Sequence, residues 1–414
     1  MSLKKRYKDI QFYKFCAYGF LKNLKFFEPF FILFLIEKGL SFTQIALLYS
    51  VREVLIYITE IPTGVIADAL GRKRTMVWSF GFYIASFLVF YFSNNMPVLL
   101  VAMVFFAFGD AFRTGTHKAM IFEYLKIKSW QSQKVDYYGG TRSCSQLGSA
   151  LSSLIAAAIV FINKSYDVIF LVSAVPYFLD MILIISYPNY LDGNKVALNK
   201  TEVLAEFKKI IKELMISLKQ AEKLKILFNV SSFSGYFKQS KDYLQYIVQS
   251  FAVSITLISG ITQKQQTSVF IGITFFFLYL LTSRASKNSG AVKKYFSESG
   301  RALNILLYAG SLIGLIAGLF FHYAWFGISI LLFVLIYLIE NFRKPIGVAY
   351  ISEHFSSENL ATTLSVESLT KTVYASFLAL IIGFFADVFD VGIALSIVSA
   401  LVLVLGLIFR LKQK

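Results

Sequence analysis

About twelve stretches of this chain are apolar over roughly the 20 residues that a helix needs to cross a lipid bilayer. They run over 11–36, 43–67, 75–93, 97–122, 139–162, 166–187, 226–251, 266–283, 302–321, 325–350, 361–385 and 390–410. A chain of 414 residues with 57% apolar content exposes more apolar surface than one soluble core can bury. Barrel strands would be about half as long and would alternate in polarity, so the spans read as helices. The expected fold class is an all-α membrane protein with twelve transmembrane helices.

The net charge of +17 raises nucleic acid as a partner, and its placement removes it. Basic residues cluster at Lys4-Lys5-Arg6, Arg72-Lys73-Arg74, Lys126 to Lys134, Lys195 to Lys225, Arg284 to Arg301 and Arg410 to Lys414. The alternate connections, such as Ser93-Asn94-Asn95-Met96 and Ala386-Asp387-Val388-Phe389-Asp390, are nearly free of Lys and Arg. This alternation is the positive-inside pattern, with both termini and the central loop in the cytoplasm of a cell carrying the protein in its inner membrane. Anionic lipid heads are expected partners of the same basic loops.

Residues 189–225 are the one long polar insert. Within it, Val203, Phe207, Ile210, Ile211 and Leu214 are spaced for an amphipathic helix on the membrane surface. The insert divides the chain into an N-terminal six-helix bundle (1–188), the linker (189–225) and a C-terminal six-helix bundle (226–414). Cys16 and Cys144 fall inside spans and suggest no disulfide framework. The first span has no convincing cleavage site and is expected to be retained.

Two short stretches recur half the chain apart. Gly19-Phe20-Leu21-Lys22-Asn23-Leu24-Lys25 returns as Gly235-Tyr236-Phe237-Lys238-Gln239-Ser240-Lys241, and Asp110-Ala111-Phe112-Arg113 returns as Glu340-Asn341-Phe342-Arg343. Each lies inside an apolar span, where ionisable groups are costly unless a wet pathway or a substrate needs them. Duplicated spans with duplicated charges are the mark of a two-lobed transporter.

One motif is specific. Gly64-Val65-Ile66-Ala67-Asp68-Ala69-Leu70-Gly71-Arg72-Lys73-Arg74 closes the second span. It resembles the signature of the major facilitator superfamily, G-x-x-x-D-x-x-G-R-[RK]-[RK], at every defined position and in the expected connection. The resemblance implies two pseudo-symmetric six-helix bundles, with spans one, four, seven and ten lining a central cavity. It also implies that Gly64, Asp68, Gly71, Arg72 and Arg74 form a conformational latch. The matching connection of the second half, Ser283 to Gly290, lacks the acid. Span five carries Gln146-Leu147-Gly148-Ser149 where many drug–proton antiporters have a Gly-Pro pair.

Under that resemblance, Lys22, Asn23, Lys25, Arg113, Lys238, Gln239, Lys241 and Arg343 are the substrate-binding candidates. Glu28, Glu53, Asp110, His117 and Glu340 are the candidates for proton coupling. The excess of basic groups favours a small anionic solute, carried with protons or against a counter-anion, by a protein acting as a monomer. A proton-driven exporter of drugs or metabolites is the alternative. A structural alternative also stands: Asp110–Arg113, Lys238–Asp242, Glu340–Lys344 and Glu367–Lys371 are spaced to pair on their own helices. No nucleophile–base arrangement, metal-ligand spacing or phosphate-cradling loop suggests an enzyme, a cofactor or a metal.

Overall fold

The computed structural model describes residues 9–192, 200–294, 298–354 and 360–412. The cluster Lys4-Lys5-Arg6, the beginning of the central basic run at Lys195, and the Asp68 side chain lie outside the described residues. The protein is all-α. Its helices are α1 (Ile10–Lys22), α2 (Phe31–Glu37), α3 (Phe42–Leu70), α4 (Arg72–Phe92), α5 (Met96–Arg113), α6 (Thr116–Ile127), α7 (Lys134–Asn163) and α8 (Val168–Ile185). After α9 (Lys200–Lys219) follow α10 (Ala221–Ser240), α11 (Leu244–Ser254), α12 (Gln263–Lys294), α13 (Ser299–His322), α14 (Phe326–His354), α15 (Leu360–Val388) and α16 (Val391–Ile408).

Among the described residues, nine helical segments are long and apolar enough to cross a membrane. The other three expected spans contain the polar features of interest. α3 is a single 29-residue helix but carries Arg52, Glu53 and Glu60. The spans expected at 11–36 and 226–251 are each divided by a short non-α segment. α9 presents Leu204 and Ile211 to its exposed face and buries Ile210. The side chains of Val203, Phe207 and Leu214 lie outside the described residues.

The chain separates into two compact units that are not simple sequence halves. The first comprises Met1–Phe30, Leu55–Val203 and Ile271–Tyr279; the second comprises Phe31–Val54, Leu204–Phe270 and Leu280–Lys414. Aromatic rings fill the core of the first unit. Tyr177 of α8 meets Tyr83 edge-on at 5.1 Å and Phe87 at 4.9 Å, both on α4. α7 packs on α1 through Gly148, where a Cβ would stand 2.5 Å from the Phe20 carbonyl oxygen. Backbones approach this closely only where a side chain is missing.

In the second unit, residues 31–54 are held by polar contacts from later in the chain. The Asp387 carboxylate accepts from the Phe42 and Thr43 backbone N–H groups at 2.8 Å each, capping the N-terminus of α3. Those N–H groups have no partner within their own helix, and the positive end of the helix dipole favours a carboxylate there. The Gln245 amide oxygen accepts from the Ile32 N–H at 2.8 Å. Lys264 pairs with Glu37.

Gly148→Leu is expected to push α1 from α7 and destabilise the protein by about 1–3 kcal/mol, the usual cost of overpacking. Gly139→Leu, where a Cβ has open space, is the control. Thermal melting of the two purified variants separates them.

Candidate functional site

Both repeated lysine motifs sit where a span is interrupted. α1 stops at Lys22, a 3-10 turn occupies Glu28–Phe30, and α2 resumes at Phe31. Pro29 accounts for part of this, because it has no N–H to return to Lys25. The Lys25 carbonyl instead accepts from the Glu28 N–H at 3.0 Å. In the second half, α10 ends at Ser240 and a 3-10 turn at Lys241–Tyr243 leads into α11. Span four breaks as well, between α5 and α6 at Thr114-Gly115. Its counterpart α14 runs unbroken through Glu340 and Arg343. Irregular backbone at membrane depth is tolerated where it lines a cavity or is buried in protein.

The first unit holds a cavity of about 280 Å³ at its two breaks. Lys22, Asn23, Arg113 and His117 line it, joined by Lys118, Arg142, Tyr18 and Ser145. Four basic side chains thus line it, and no Asp or Glu is among the described lining residues. Lys22 has no ion pair among the described residues. The Asn23 amide donates to the Gly19 carbonyl at 2.6 Å, which holds its oxygen toward Ser149. Arg113 pairs with Asp110 at 2.8 Å and donates from Nε to the Tyr83 hydroxyl at 3.0 Å; Tyr83 donates in turn to Asp110. His117 stacks on Tyr18, and its Nε2 lies 3.3 Å from the Tyr187 hydroxyl.

The second unit holds a cavity of about 360 Å³ lined by Lys238, Lys241, Glu340, Asn341, Lys344, Glu367 and Lys371. Its charges are largely matched. Lys238 pairs with the buried Glu53, which also takes Arg52 at 3.2 Å. Lys241 pairs with Asp242 at 2.9 Å, and Lys371 with Glu367 at 3.9 Å. Glu340 accepts from the Ser234 hydroxyl at 2.8 Å, while its second oxygen is buried without a partner.

Several of the expected residues stand outside the lining of both cavities. Arg343 is 1% exposed and does not line the cavity. Its guanidinium donates to the carbonyls of Val230 at 3.1 Å and Asn229 at 2.5 Å, to the Asn229 side chain at 3.0 Å, and to Leu303. A planar group with five donors satisfies itself on a helix backbone where no carboxylate reaches it. Gln239 is buried and lies outside both sets of lining residues. Lys25 lies 3.6 Å from Glu28 on the connecting turn, and both stand outside the first cavity's lining, as does Asp110.

At the motif between α3 and α4, Gly71 adopts φ +102°, a conformation that suits only glycine, and a Cβ there would strike the Asp192 carboxylate at 2.8 Å. Asp192 accepts from the Lys73 N–H at 2.7 Å, and the Lys73 ammonium donates to the Tyr187 carbonyl at 2.8 Å. The motif's turn is thus clamped to the end of span six. Gly64 faces open space, and Arg74 is exposed. Asp192, Lys118 and Arg142 were missed by sequence reasoning. Each stands near the end of a span, where basic and acidic residues usually mark topology. Among the described residues, no group of three His, Cys, Asp or Glu side chains could hold a metal ion.

A multi-pass helical membrane protein with charged cavities at interrupted spans has the build of a solute transporter and not of an enzyme. The model of the Major Facilitator Superfamily matches residues 15–336, and the chain belongs to that family. An uncharacterised MFS-type transporter of Bacillus subtilis (strain 168), YxaM, is 25% identical over 418 residues, spanning 97% of this chain and 95% of its own. Among solved structures, a POT family transporter in complex with 5-aminolevulinic acid superposes with a TM-score of 0.74 at 14% identity, over 96% of this chain and 95% of that one. The nucleoside transporter NupG superposes with a TM-score of 0.71 at 12% identity, over 97% of each chain. At those identities the likeness is one of fold.

Arg343→Ala is expected to cost about 1.5–3 kcal/mol of stability through its lost charged hydrogen bonds, with ligand affinity per folded molecule unchanged. Melting curves together with ligand titration of the folded fraction check this. Asp192→Ala removes a helix cap and is expected to lower stability by about 1 kcal/mol; Asp192→Asn should recover most of it in the same melting assay.

Proposed function

We propose that the protein is a secondary active carrier of a small organic anion, such as a carboxylate or a phosphate ester, working by alternating access. The observation that carries this reading is the first unit's cavity. It collects Lys22, Arg113, Lys118 and Arg142 and, among the described residues, is lined by no carboxylate. Arg offers a planar fork to a carboxylate or phosphate, and Lys a movable point charge. Asp110 offsets Arg113, so Lys22 is the half-buried cation that faces the cavity without an ion pair among the described residues. Solved structures of the same fold are described as complexes with 5-aminolevulinic acid and with sulfate, which agrees with a small polar substrate. A proton-driven exporter of drugs would be better served by acids in an apolar cavity than by this lining.

In this reading residues 1–188 and 226–414 are the two pseudo-symmetric bundles and 189–225 links them on the cytoplasmic face of the cell membrane. The termini share that face, the carrier works as a monomer, and protons or a counter-anion supply the driving force. Gly64, Asp68, Gly71, Arg72 and Arg74 form the latch that the family motif implies.

A thermal-shift screen of the purified protein against small carboxylates, phosphate esters and sulfate tests the anion reading, since a ligand of the folded state raises its melting point. Lys22→Gln is expected to weaken the best ligand about tenfold, equivalent to about 1.4 kcal/mol. Lys25→Gln, whose ammonium already lies beside Glu28, should weaken it less. Equal affinity in wild type and Lys22→Gln would reject the assignment.

A further inference from the structure

Span six contains a carboxyl group that none of the repeated motifs includes. Asp180 lies on α8 on the same buried face as Ser173, Tyr177 and Ile184, and it is 0% exposed. Both of its carboxylate oxygens are buried with no hydrogen-bond partner, a condition no other carboxylate among the described residues shares on both oxygens. The acid interrupts an apolar run from Val168 to Ile185.

The positive charges acting on Asp180 are Lys22 from α1 and Arg113 from α5, both of which line the first unit's cavity. The other titratable groups that interact with it are Tyr18 of α1, Tyr177 of its own helix and Tyr187 just beyond that helix. α4 contributes Tyr83, packed on Tyr177, and α7 contributes Tyr137, which interacts with Tyr187. Tyr18 and His117 form part of the cavity wall, and His117 is within 3.3 Å of the Tyr187 hydroxyl. Tyr18 therefore both lines the cavity and interacts with Asp180, and Tyr187, which also interacts with Asp180, meets the cavity's His117.

We propose that Asp180 is a proton-binding site of this transporter, linked through Lys22 and Arg113 to occupancy of the neighbouring cavity. An ionised carboxylate with no donor in an apolar interior is so costly that the group takes up a proton instead. Cations in an empty cavity favour ionised Asp180 across the wall. A bound anion neutralises them, and the proton is then held more tightly. The coupling is reciprocal, so protonated Asp180 strengthens anion binding by the same factor. Above the pH at which the empty protein loses it, the proton comes from water onto one Asp180 oxygen as the anion binds and returns to water when the anion leaves, so no other reactant is consumed. In that alkaline range one proton is co-transported with the anion; below it Asp180 stays protonated with or without the ligand. The coupling rests on the anion-carrier reading; the protonated state of Asp180 does not.

Infrared difference spectroscopy of the purified protein, wild type minus Asp180→Asn, tests the proton site without a ligand. Near neutral pH the wild type is expected to show a protonated-carboxyl C=O band that Asp180→Asn lacks and Asp180→Glu retains at a shifted position. A difference spectrum without that band overturns the proposal. Sulfate, which does not buffer in this range, tests the coupling. Its apparent Kd should rise up to tenfold per pH unit on the alkaline side in the wild type, and this dependence should vanish in Asp180→Asn. An unchanged pH dependence in Asp180→Asn overturns the coupling and leaves Lys22 or His117 as its source. If neither sulfate nor any screened anion binds the wild type, the anion reading falls, and the infrared result alone decides whether Asp180 holds a proton.

Discussion

Interrupting a helix in the middle of a bilayer is the constraint on which the rest of this structure depends. Each interruption frees backbone groups that lipid cannot satisfy. At residues 22–30 tight turns meet the need: Asn23 N–H bonds the Phe20 carbonyl at 3.1 Å, Leu24 N–H bonds Leu21 at 3.0 Å, and Glu28 N–H bonds Lys25 at 3.0 Å. The same interruption brings Lys22 and Asn23 to a cavity wall while Lys25 and Glu28 stay on the turn. Breaks in two spans of the first unit, and a 3-10 turn in α10–α11 of the second, place polar side chains where continuous helices would have placed apolar ones.

Electrostatics then distinguishes the two cavities. Of the lysines lining the second cavity, Lys238, Lys241 and Lys371 each have a carboxylate partner, and the Lys238–Glu53 pair joins residues far apart in sequence. Buried pairs of this kind contribute little net stability, yet losing one partner strands a charge at high cost. In the first unit Arg113 is held by Asp110 and Tyr83, while Lys22 is left facing the cavity. The second cavity is thus organised mainly by its internal pairs, whereas Lys22 of the first has no ion pair among the described residues.

The repeat itself has diverged in use. Arg113 and Arg343 hold matching positions in sequence, but α5 ends at Arg113, whereas α14 continues through Arg343 and past Pro345. At a helix end beside a turn, the side chain of Arg113 can reach a cavity and its own carboxylate. Within an unbroken helix, the side chain of Arg343 runs into the bundle and bonds the carbonyls of α10. One motif thus supplies a cavity cation in one half and an internal brace in the other. Glycine shows the same economy at Gly148 and Gly71, where the approach of Phe20 and of Asp192 leaves no room for a side chain.

What the sequence determined by itself was the class of fold, because a 20-residue apolar run in lipid has to be a helix and the placement of Lys and Arg sets the loops. It also located the family motif and singled out Lys22, Asn23, Arg113, His117, Lys238, Lys241 and Glu340, since ionisable or amide side chains at membrane depth are conspicuous. Only the tertiary structure decided which of these face a cavity. Partners distant in sequence settle that question: Glu53 for Lys238, Tyr83 for Arg113, and the Asn229 and Val230 carbonyls for Arg343. Asp192 and Arg142 could not be recognised from the chain, because their roles exist only where span six meets the α3–α4 turn and where α7 crosses α1. Asp180 was visible as an acid in an apolar run, but its isolation from every donor is a property of the packed bundle.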